Sequence, residues 1–256
     1  MKKNSRVRSP KSGNEKSFAI LVVAYFAEKT IEDVLSKIPP QTVKECAEII
    51  VQDDASTDRT TPVAEEFKKK NGWKNLTIVH NEKNLGYGGN QKKGYQYCYE
   101  KGYDCVVMLH GDAQYPPEDS PKLLAPLLAG EAEMTFGSRM TGKPLEGGMP
   151  LWKFLGNKFL TIYANFMLGM KLSEYHSGFR AYNVKALHEA GVQNCSDNFV
   201  FDTDIVIAFK KKNFRIAECT IPTHYGPESR QIRPIPVLRY GLQIMKRVTF
   251  FRLNLR

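Results

Sequence analysis

The stretch FAILVVAYFAE, residues 18–28, decides the fold class. Its first seven residues are continuously apolar, which is typical of a β-strand buried on both faces. Polar residues follow at once, from Tyr25 to Glu28. The same order, an apolar run and then acids, returns in EIIVQDD (48–54) and DCVVMLHGD (104–112). These segments predict buried strands whose carboxyl ends carry polar side chains.

Helical patterns separate the predicted strands. Residues 30–38, 59–71 and 91–101 have helical character, and LTIV (76–79) and EMTF (133–136) predict two further strands. Strands that alternate with helices predict an α/β fold: a mostly parallel, Rossmann-like sheet flanked by helices. Ligands of such sheets bind at the carboxyl ends of the strands. The motifs GxGxxG and GxxxxGK[ST] are absent, which argues against a dinucleotide site and a P-loop.

The composition is that of a globular protein. The chain has 256 residues, of which 42% are hydrophobic and 25% charged. This is enough for a sizeable core, whereas a mean hydropathy of -0.40 and the lack of a long apolar run argue against a membrane-spanning helix. The five cysteines are scattered without a CxxC pair, which predicts reduced thiols in a cytoplasmic protein.

The net charge of +10 is concentrated at the two ends. Residues 1–17 contain six Lys or Arg and one Glu, and they predict a disordered basic tail. This tail could bind an anionic surface, and the alternative is that it only increases solubility. Residues 230–256 contain seven Lys or Arg and no acid. The domain between the basic ends, residues 18–232, is nearly neutral. This distribution of charge favours binding of the ends to an anionic membrane surface. A nucleic-acid partner is not expected, because no supporting motif is present.

Residues 233–256 predict a basic amphipathic helix. Its apolar residues recur at helical spacing and form one stripe: Leu238, Leu242, Met245, Val248, Phe251 and Leu255. Such a helix lies in the headgroup plane of a membrane, which would make the protein peripheral on a cytoplasmic membrane face. The alternative is that the stripe packs on the protein's own core or on another subunit; the oligomeric state stays open.

A second apolar segment covers residues 151–172. It is interrupted by Lys153, Asn157, Lys158 and Asn165, so it is too polar to span a membrane comfortably. We predict a buried helix here, and the alternative is a helix that lies at an interface.

Two clusters at the predicted strand ends can carry chemistry. DDASTD (53–58) offers adjacent acids that can accept hydrogen bonds from a ribose or a base, although Ser56 or Asp58 can also cap a helix. HGDAQYPPE (110–118) offers a carboxylate and polar neighbours that can hold a hard divalent cation beside a diphosphate. Gly111 allows the backbone of this loop to approach a ligand closely.

The ordered set of motifs resembles the inverting family 2 glycosyltransferases of the GT-A fold, and within them the dolichyl- or polyprenyl-phosphate mannosyl- and glucosyltransferases. The resemblance covers about residues 18–232. It is carried by six motifs in order: AYFAE (24–28), DDASTD (53–58), NLGYGGN (84–90), HGDAQYPPE (110–118), GSR (137–139) and SGFRAY (177–182).

The resemblance implies the roles of individual residues. Those expected to bind the nucleotide-sugar donor are Ala24, Tyr25, Glu28, Asp53, Asp54, Gly111 and Arg139. Asp112 and Gln114 would hold Mg²⁺ or Mn²⁺, and His110 stands where the family has the first acid of its metal motif. A neutral histidine suits Mn²⁺ better than Mg²⁺. Arg180 would face phosphate or sugar, and the residues expected to bind acceptor or phosphate are Ser177, His224, Arg230 and Arg233.

The function implied is inverting transfer of a sugar from GDP-mannose or a UDP-sugar to a membrane polyprenyl or dolichyl phosphate. One alternative is transfer to a hydroxyl acceptor, with Asp202 or Asp204 as the general base that a hydroxyl requires. Another is a non-catalytic protein that binds nucleotide sugars, which the histidine at position 110 makes conceivable.

Overall fold

The structure, a computed structural model, describes residues 16–222 and 234–253. Its strands form one seven-stranded sheet: β1 Phe18–Ala24, β2 Glu48–Asp53, β3 Leu76–His80, β4 Cys105–His110, β5 Met134–Ser138, β6 Arg180–Asn183 and β7 Ile216–Thr220. The α-helices are α1 Ile31–Ser36, α2 Pro40–Glu45, α3 Thr60–Asn71, α4 Gly86–Glu100, α5 Ser120–Leu128, α6 Leu151–Leu168, α7 Val184–Glu189, α8 Phe201–Lys211 and α9 Pro234–Arg252.

The strand order is β3-β2-β1-β4-β6-β5-β7. Every neighbouring pair is parallel except the two pairs that β6 makes with β4 and β5. The predicted α/β fold with a mostly parallel sheet is therefore confirmed.

The apolar run of β1 is buried because helices cover both faces of the sheet. Ile20 and Val22 join a cluster with α1, α3 and α5, whereas Ala19 and Leu21 join a cluster with α4, α6 and α8. Successive side chains of a strand point to opposite faces, which explains this division.

The parallel strands end at one edge of the sheet. Ala24 pairs with Asp53, Asp53 with His80, and Val23 with His110, so the polar segments that follow these strands lie side by side. The antiparallel β6 begins near this edge, with Arg180 paired to Met108 and Phe136. The turn that precedes β6 therefore reaches the same edge.

The prediction of a buried helix over 151–172 is wrong. The helix α6 buries only Thr161, Ala164 and Leu168 among its residues, and most of its large apolar side chains are exposed. The inward side combines Ala164 and Leu168, which join the core, with Asn157 and Asn165, which hydrogen-bond to the protein there. None of the helices in the described part of the chain combines the length and the apolar character needed to cross a membrane.

The helix α9 packs against α6. The Tyr163 hydroxyl lies 2.6 Å from Thr249 Oγ1, and Ile244 and Val248 are fully buried. The predicted single stripe is therefore divided, because Val248 faces the core whereas Leu242 faces outward. Leu255 lies outside the described residues.

At the start of the chain, the last residues of the predicted basic tail are bonded to the domain. Lys16 Nζ donates to the Leu127 carbonyl oxygen at 2.6 Å, and the Ser17 amide donates to Asp104 at 2.7 Å. Residues 1–15 lie outside the described part.

Candidate active site

The loops after β1 and β2 are locked together by hydrogen bonds. Successive amides of the first loop donate to side chains of the second: Phe26 N to Ser56 Oγ at 2.8 Å, Ala27 N to Thr60 Oγ1 at 2.8 Å and Glu28 N to Asp58 Oδ2 at 3.3 Å. Glu28 in turn accepts from the Arg59 amide at 3.0 Å. The DDASTD motif thus fixes the shape of the preceding loop.

Asp53 is fully buried and has three partners inside the protein. Its carboxylate accepts from Ser56, from the Thr61 hydroxyl at 2.8 Å, and lies 2.7 Å from His80 Nδ1. This arrangement holds the start of α3 and the end of β3 to the end of β2.

Asp54 anchors the glycine-rich loop at the start of α4. Its two oxygens accept from the Leu85 amide at 2.8 Å, the Gly86 amide at 3.0 Å and Asn81 Nδ2 at 3.0 Å. Both acids predicted to bind the donor are therefore engaged within the protein. Of the predicted donor residues in the loop after β1, Tyr25 is 47% exposed and Glu28 is half-buried.

Backbone strain is concentrated at the same edge. Phe26, Ala55 and Ala113 have φ values of 51°, 60° and 56°, and each lies in the loop after a different strand. Left-handed backbone is unfavourable for residues with a Cβ and is tolerated where the surroundings enforce it, often at functional sites. The three strained loops mark this edge as the candidate site.

The loop after β4 carries the predicted metal residues. Asp112 and Gln114 are half-buried, and Asp112 Oδ1 accepts from the Gln114 amide at 3.1 Å. Gly111 approaches β1 closely: its amide donates to the Val23 carbonyl at 2.8 Å, and a Cβ there would lie 3.1 Å from that of Ala24. Within the described ranges, no three His, Cys, Asp or Glu residues are grouped as a metal site.

His110 faces the turn before β6. A Cβ on Gly178 would lie 2.6 Å from His110 Nε2, and the Tyr87 hydroxyl is 3.5 Å from the same nitrogen. The Tyr115 hydroxyl accepts from the Gly178 amide at 2.8 Å, and its ring meets the His110 ring edge-on. His110 is thus enclosed by Tyr87, Tyr115 and Gly178.

The network continues from Tyr87 to Asp202 and Arg180. The Tyr87 hydroxyl donates to Asp202 Oδ2 at 2.9 Å. Arg180 donates to the backbone carbonyls of Ser177, Asp202 and Tyr175 at 2.7, 2.8 and 2.9 Å. Burial, followed by the charge of Asp202, raises the pKa of Tyr87, which therefore stays a donor at neutral pH.

The expectation that Arg180 faces phosphate or sugar is not met. The residue is 1% exposed and its guanidinium holds the backbone of residues 175–180 in place. Ser177 is also fully buried, and neither its Oγ nor Asp202 Oδ1 has a hydrogen-bond partner among the described residues.

Arg139 is held by a buried carboxylate. Its amide and its Nη2 donate to the two oxygens of Glu174, each at 2.6 Å, and Asn157 of α6 donates to Glu174 Oε2 at 3.2 Å. Burial acts to raise the pKa of Glu174, but the charge and hydrogen bonds of Arg139 outweigh it and hold that pKa below its usual 4.5. Arg139 and Glu174 thus form an ion pair in which the Arg139 side chain is 13% exposed.

Asp204 points away from this network. It accepts from the Ser196 amide at 3.0 Å and lies 3.3 Å from Arg247 Nε of α9. Residues two apart on a helix face different directions, so the neighbouring Asp202 reaches Tyr87 while Asp204 reaches α9. The structure therefore does not bring Asp204 to the site.

An open cleft of about 730 Å³ adjoins Tyr87. Its walls are the start of α4 and the segment before α8, with Phe199 at the mouth, 54% exposed and 4.9 Å from the Tyr87 ring. Tyr87 thus separates this cleft from His110.

The sequence analysis did not assign a role to several residues that hold the candidate site in shape. Tyr87, Tyr115 and Gly178 lie inside the quoted motifs, so their sequence positions were a usable signal. Glu174 and Asn157 lie outside those motifs, and the sequence analysis noted Asn157 only as a polar interruption of an apolar segment. The predicted acceptor residues His224, Arg230 and Arg233 lie outside the described residues.

Comparison with known proteins gives a consistent result. The chain is 28% identical over 222 residues to UDP-N-acetylglucosamine--dolichyl-phosphate N-acetylglucosaminyltransferase of Methanococcus voltae, covering 82% of this chain and 87% of that one. It is 27% identical to undecaprenyl-phosphate mannosyltransferase of Micrococcus luteus, covering 68% of this chain and 71% of that one.

A solved structure shares the fold. Glucosyl-3-phosphoglycerate synthase from Mycobacterium tuberculosis, solved with Mn²⁺, UDP and phosphoglyceric acid, superposes with a TM-score of 0.67 at 20% identity, covering 93% of this chain and 78% of that one. This confirms the GT-A fold.

The family model for Glycosyl transferase family 2 matches residues 19–191, which include the loops after β1, β2 and β4 and the turn before β6. The match confirms the resemblance and sets aside a non-catalytic protein. The chain belongs to glycosyl transferase family 2 and is a glycosyltransferase that uses a nucleotide sugar.

Proposed function

We propose that this enzyme transfers a sugar, with inversion, from a nucleotide-diphosphate sugar to a membrane polyprenyl or dolichyl phosphate. The observation that carries the proposal is the similarity, over most of both chains, to a relative named for a dolichyl-phosphate acceptor. A second relative is named for undecaprenyl phosphate. Both names describe a sugar transferase with a lipid-phosphate acceptor, whereas they differ in the sugar.

The donor binds at the strained edge of the sheet in this proposal. The exposed Tyr25 and the half-buried Glu28 meet the nucleoside, while Asp53 and Asp54 keep their loops in shape. Arg139 meets the donor phosphates with a guanidinium that Glu174 holds in a fixed orientation. GDP-mannose and UDP-sugars remain the two donor classes.

The residues at the end of β4 fit a divalent cation. Asp112 and Gln114 offer the oxygen ligands that Mg²⁺ and Mn²⁺ accept, on a loop that is half-buried. His110 directs Nε2 at Gly178 and Tyr87, so we assign it to shaping the site. When bound, the cation would supply charge that stabilises the diphosphate leaving group.

The anionic acceptor of this proposal determines which groups the protein must supply. A phosphate oxygen carries no proton that must be removed, so the reaction needs no general base. The chain's part is then to hold the acceptor opposite the leaving group and to balance charge with Arg139. Under this proposal the enzyme works at the cytoplasmic face of a membrane.

The test is an incubation with labelled GDP-mannose, UDP-glucose or UDP-N-acetylglucosamine, together with Mg²⁺ or Mn²⁺. Each donor is paired with polyprenyl phosphate in vesicles, with a short, water-soluble isoprenyl phosphate, and with hydroxyl acceptors. We expect one donor to give a labelled lipid of inverted anomeric configuration. Labelling of hydroxyl acceptors alone, with none of either phosphate, would overturn the lipid-phosphate assignment.

One observation favours a hydroxyl acceptor as the second candidate. Asp202 Oδ1 is buried, has no hydrogen-bond partner in the described structure and lies 3.7 Å from Arg180 Nη1. If Asp202 is a general base, Asp202→Asn should lose about 10²–10⁴-fold in turnover with donor binding intact. For a phosphate acceptor, the folded variant should keep activity within about tenfold. Asp204→Asn is the matched control, because Asp204 faces α9.

A further inference from the structure

The helix α6 presents its apolar residues outward. Its exposed large side chains are Leu151 at 61%, Trp152 at 46%, Leu155 at 57%, Phe159 at 59%, Ile162 at 67% and Phe166 at 76%. Five of the six positions, from 151 to 166, follow one another at steps of four, four, three and four, so they form one stripe along the helix. We call these six residues the α6 stripe. Contiguous exposed apolar surface of this kind marks an interaction site.

The opposite side of α6 buries Ala164 and Leu168 in the core and also carries polar residues that are bonded within the protein. Asn157 donates to Glu174, which holds Arg139, and Thr161 donates to Asn157 Oδ1 at 3.1 Å. Asn165 donates to the Leu172 carbonyl at 2.8 Å and accepts from the Tyr175 hydroxyl at 2.8 Å. The α6 stripe lies apart from these inward contacts and is exposed, so it is available to something outside the chain.

The charges around the α6 stripe favour one kind of partner. The helix carries Lys153 and Lys158 and no acid. The neighbouring α9 also has no acid, and its described basic residues are Arg239, Lys246, Arg247 and Arg252. A second copy of this surface would bring like charges together, whereas an anionic bilayer attracts them at about 1 kcal/mol per basic residue.

We propose that the α6 stripe docks the enzyme on an anionic lipid bilayer, with its apolar side chains in the headgroup region. The proposal rests on the proposed lipid-phosphate acceptor and adds the surface that meets the membrane. Asn157 on the inner side of α6 bonds to Glu174, so one helix, about 10 Å across, separates Arg139 from the lipid. An acceptor phosphate at the headgroup level would therefore lie about one helix diameter from Arg139.

The experiment measures flotation of the full chain with vesicles of phosphatidylcholine, with and without phosphatidylglycerol, at low salt. Ile162→Glu and Phe166→Glu each place a charge on the stripe at an exposed position, so the fold is kept. Tyr99→Glu is the matched control, because Tyr99 is an aromatic residue 40% exposed on α4. We expect wild type and the control to float with anionic vesicles. The partition coefficient of each stripe variant onto these vesicles should be lower by at least about tenfold.

Flotation of the stripe variants equal to that of wild type would overturn the proposal, and so would wild type that ignores anionic vesicles. Loss of a dimer in Ile162→Glu, by analytical ultracentrifugation, with flotation unchanged would instead identify a second copy as the partner. Transfer to the short soluble isoprenyl phosphate separates the two proposals. If neither phosphate acceptor is labelled while flotation depends on Ile162, the proposed acceptor fails and docking stands. If both are labelled and flotation does not depend on Ile162, docking fails and the acceptor stands.

Discussion

Gly178 is the position at which one added carbon atom would disturb the site most directly. A Cβ there would lie 2.6 Å from His110 Nε2 and 3.0 Å from the Tyr87 hydroxyl. We expect Gly178→Ala to reduce turnover at least tenfold and to cost about 1–3 kcal/mol of unfolding free energy through overpacking. Steady-state kinetics and urea unfolding measure the two effects.

Gly156→Ala is the control for this change, because no heavy atom lies within 4 Å of the added Cβ. Alanine is the better helix former, so this variant should be as stable as wild type or more so. Equal turnover in the two variants would show that His110 and Tyr87 need not be held in place.

Asp112 is the carboxylate on which the proposed cation site depends. We expect Asp112→Asn to lower turnover by about 10³-fold or more, since the charge stabilisation by a metal is worth several kcal/mol. Glu118→Gln, on the same loop and exposed, should keep wild-type turnover. Titration of turnover with Mn²⁺ and Mg²⁺ for all three proteins measures the effect. Turnover of Asp112→Asn at the wild-type level would remove this residue from the metal site.

Part of the site was predictable residue by residue, and part was not. Asp54 and Asp112 follow apolar strands, so their place at the edge of the sheet was foreseeable. The hydrogen bond that Asp54 accepts from the Gly86 amide was not foreseeable, because the two residues are 32 positions apart in the chain. The enclosure of Arg180 likewise depends on the carbonyl of Asp202, which belongs to another element.

The element that joins the site to the C-terminal helix is the turn before β6. His176 of this turn has a buried Nε2 without a hydrogen-bond partner in the described structure, and its Nδ1 lies 3.5 Å from the Tyr240 hydroxyl of α9. Burial lowers the pKa of His176 from 6.5 to about 4; among the nearby charges Glu174 acts to raise it, while Arg139 and Arg180 add to the lowering. The turn is therefore built around a neutral imidazole.

This lowered pKa makes the stability of the enzyme depend on pH. Below pH 6.5 the unfolded chain binds a proton at His176, whereas the folded chain does not until about pH 4. The free energy of unfolding should therefore fall by roughly 1 kcal/mol per pH unit between these values. Urea unfolding of wild type and His176→Asn across this range measures it. If the free energy of unfolding fell equally steeply with pH in both proteins, His176 would not be the source of the pH dependence.

The helices were less predictable than the strands. The apolar content of α6 indicated burial, yet the helix turns that content outward because Asn157 and Asn165 find partners inside. A helix that packs by hydrogen bonds to a buried carboxylate has no periodic signature, since the partner Glu174 lies outside it. The interface alternative named for this segment describes its exposed surface better.

At the scale of the whole molecule, α9 completes the core that the sheet begins. Ile244→Ala should cost about 2–5 kcal/mol of unfolding free energy, because Ile244 is fully buried. Leu242→Ala, on the same helix and 60% exposed, should stay within about 0.5 kcal/mol of wild type. Urea unfolding monitored by circular dichroism compares them. Similar stability of both variants would show that α9 is only loosely attached.

Of the seven strands of the sheet, β1 to β5 were predicted from the sequence, and β6 and β7 were not. The strands β1 to β4 are apolar runs separated by helical segments, which is the pattern of parallel βαβ units. The strand β6 is four residues long and begins with an arginine, so it carries no apolar alternation that would predict it. It lies between β4 and β5 and is antiparallel to both, an arrangement that sequence spacing does not encode.

That reversed strand also sets the order in which the protein can be assembled on the ribosome. Within the described sheet, β5 pairs only with β6 and β7, and both are synthesised after it. The four parallel strands β3, β2, β1 and β4 can associate as soon as residue 110 has emerged. By contrast, β5 must wait about forty residues for its first neighbour, with MTFGS unpaired. An unpaired apolar strand is prone to aggregation, so the nascent chain is most vulnerable between the synthesis of β5 and that of β6.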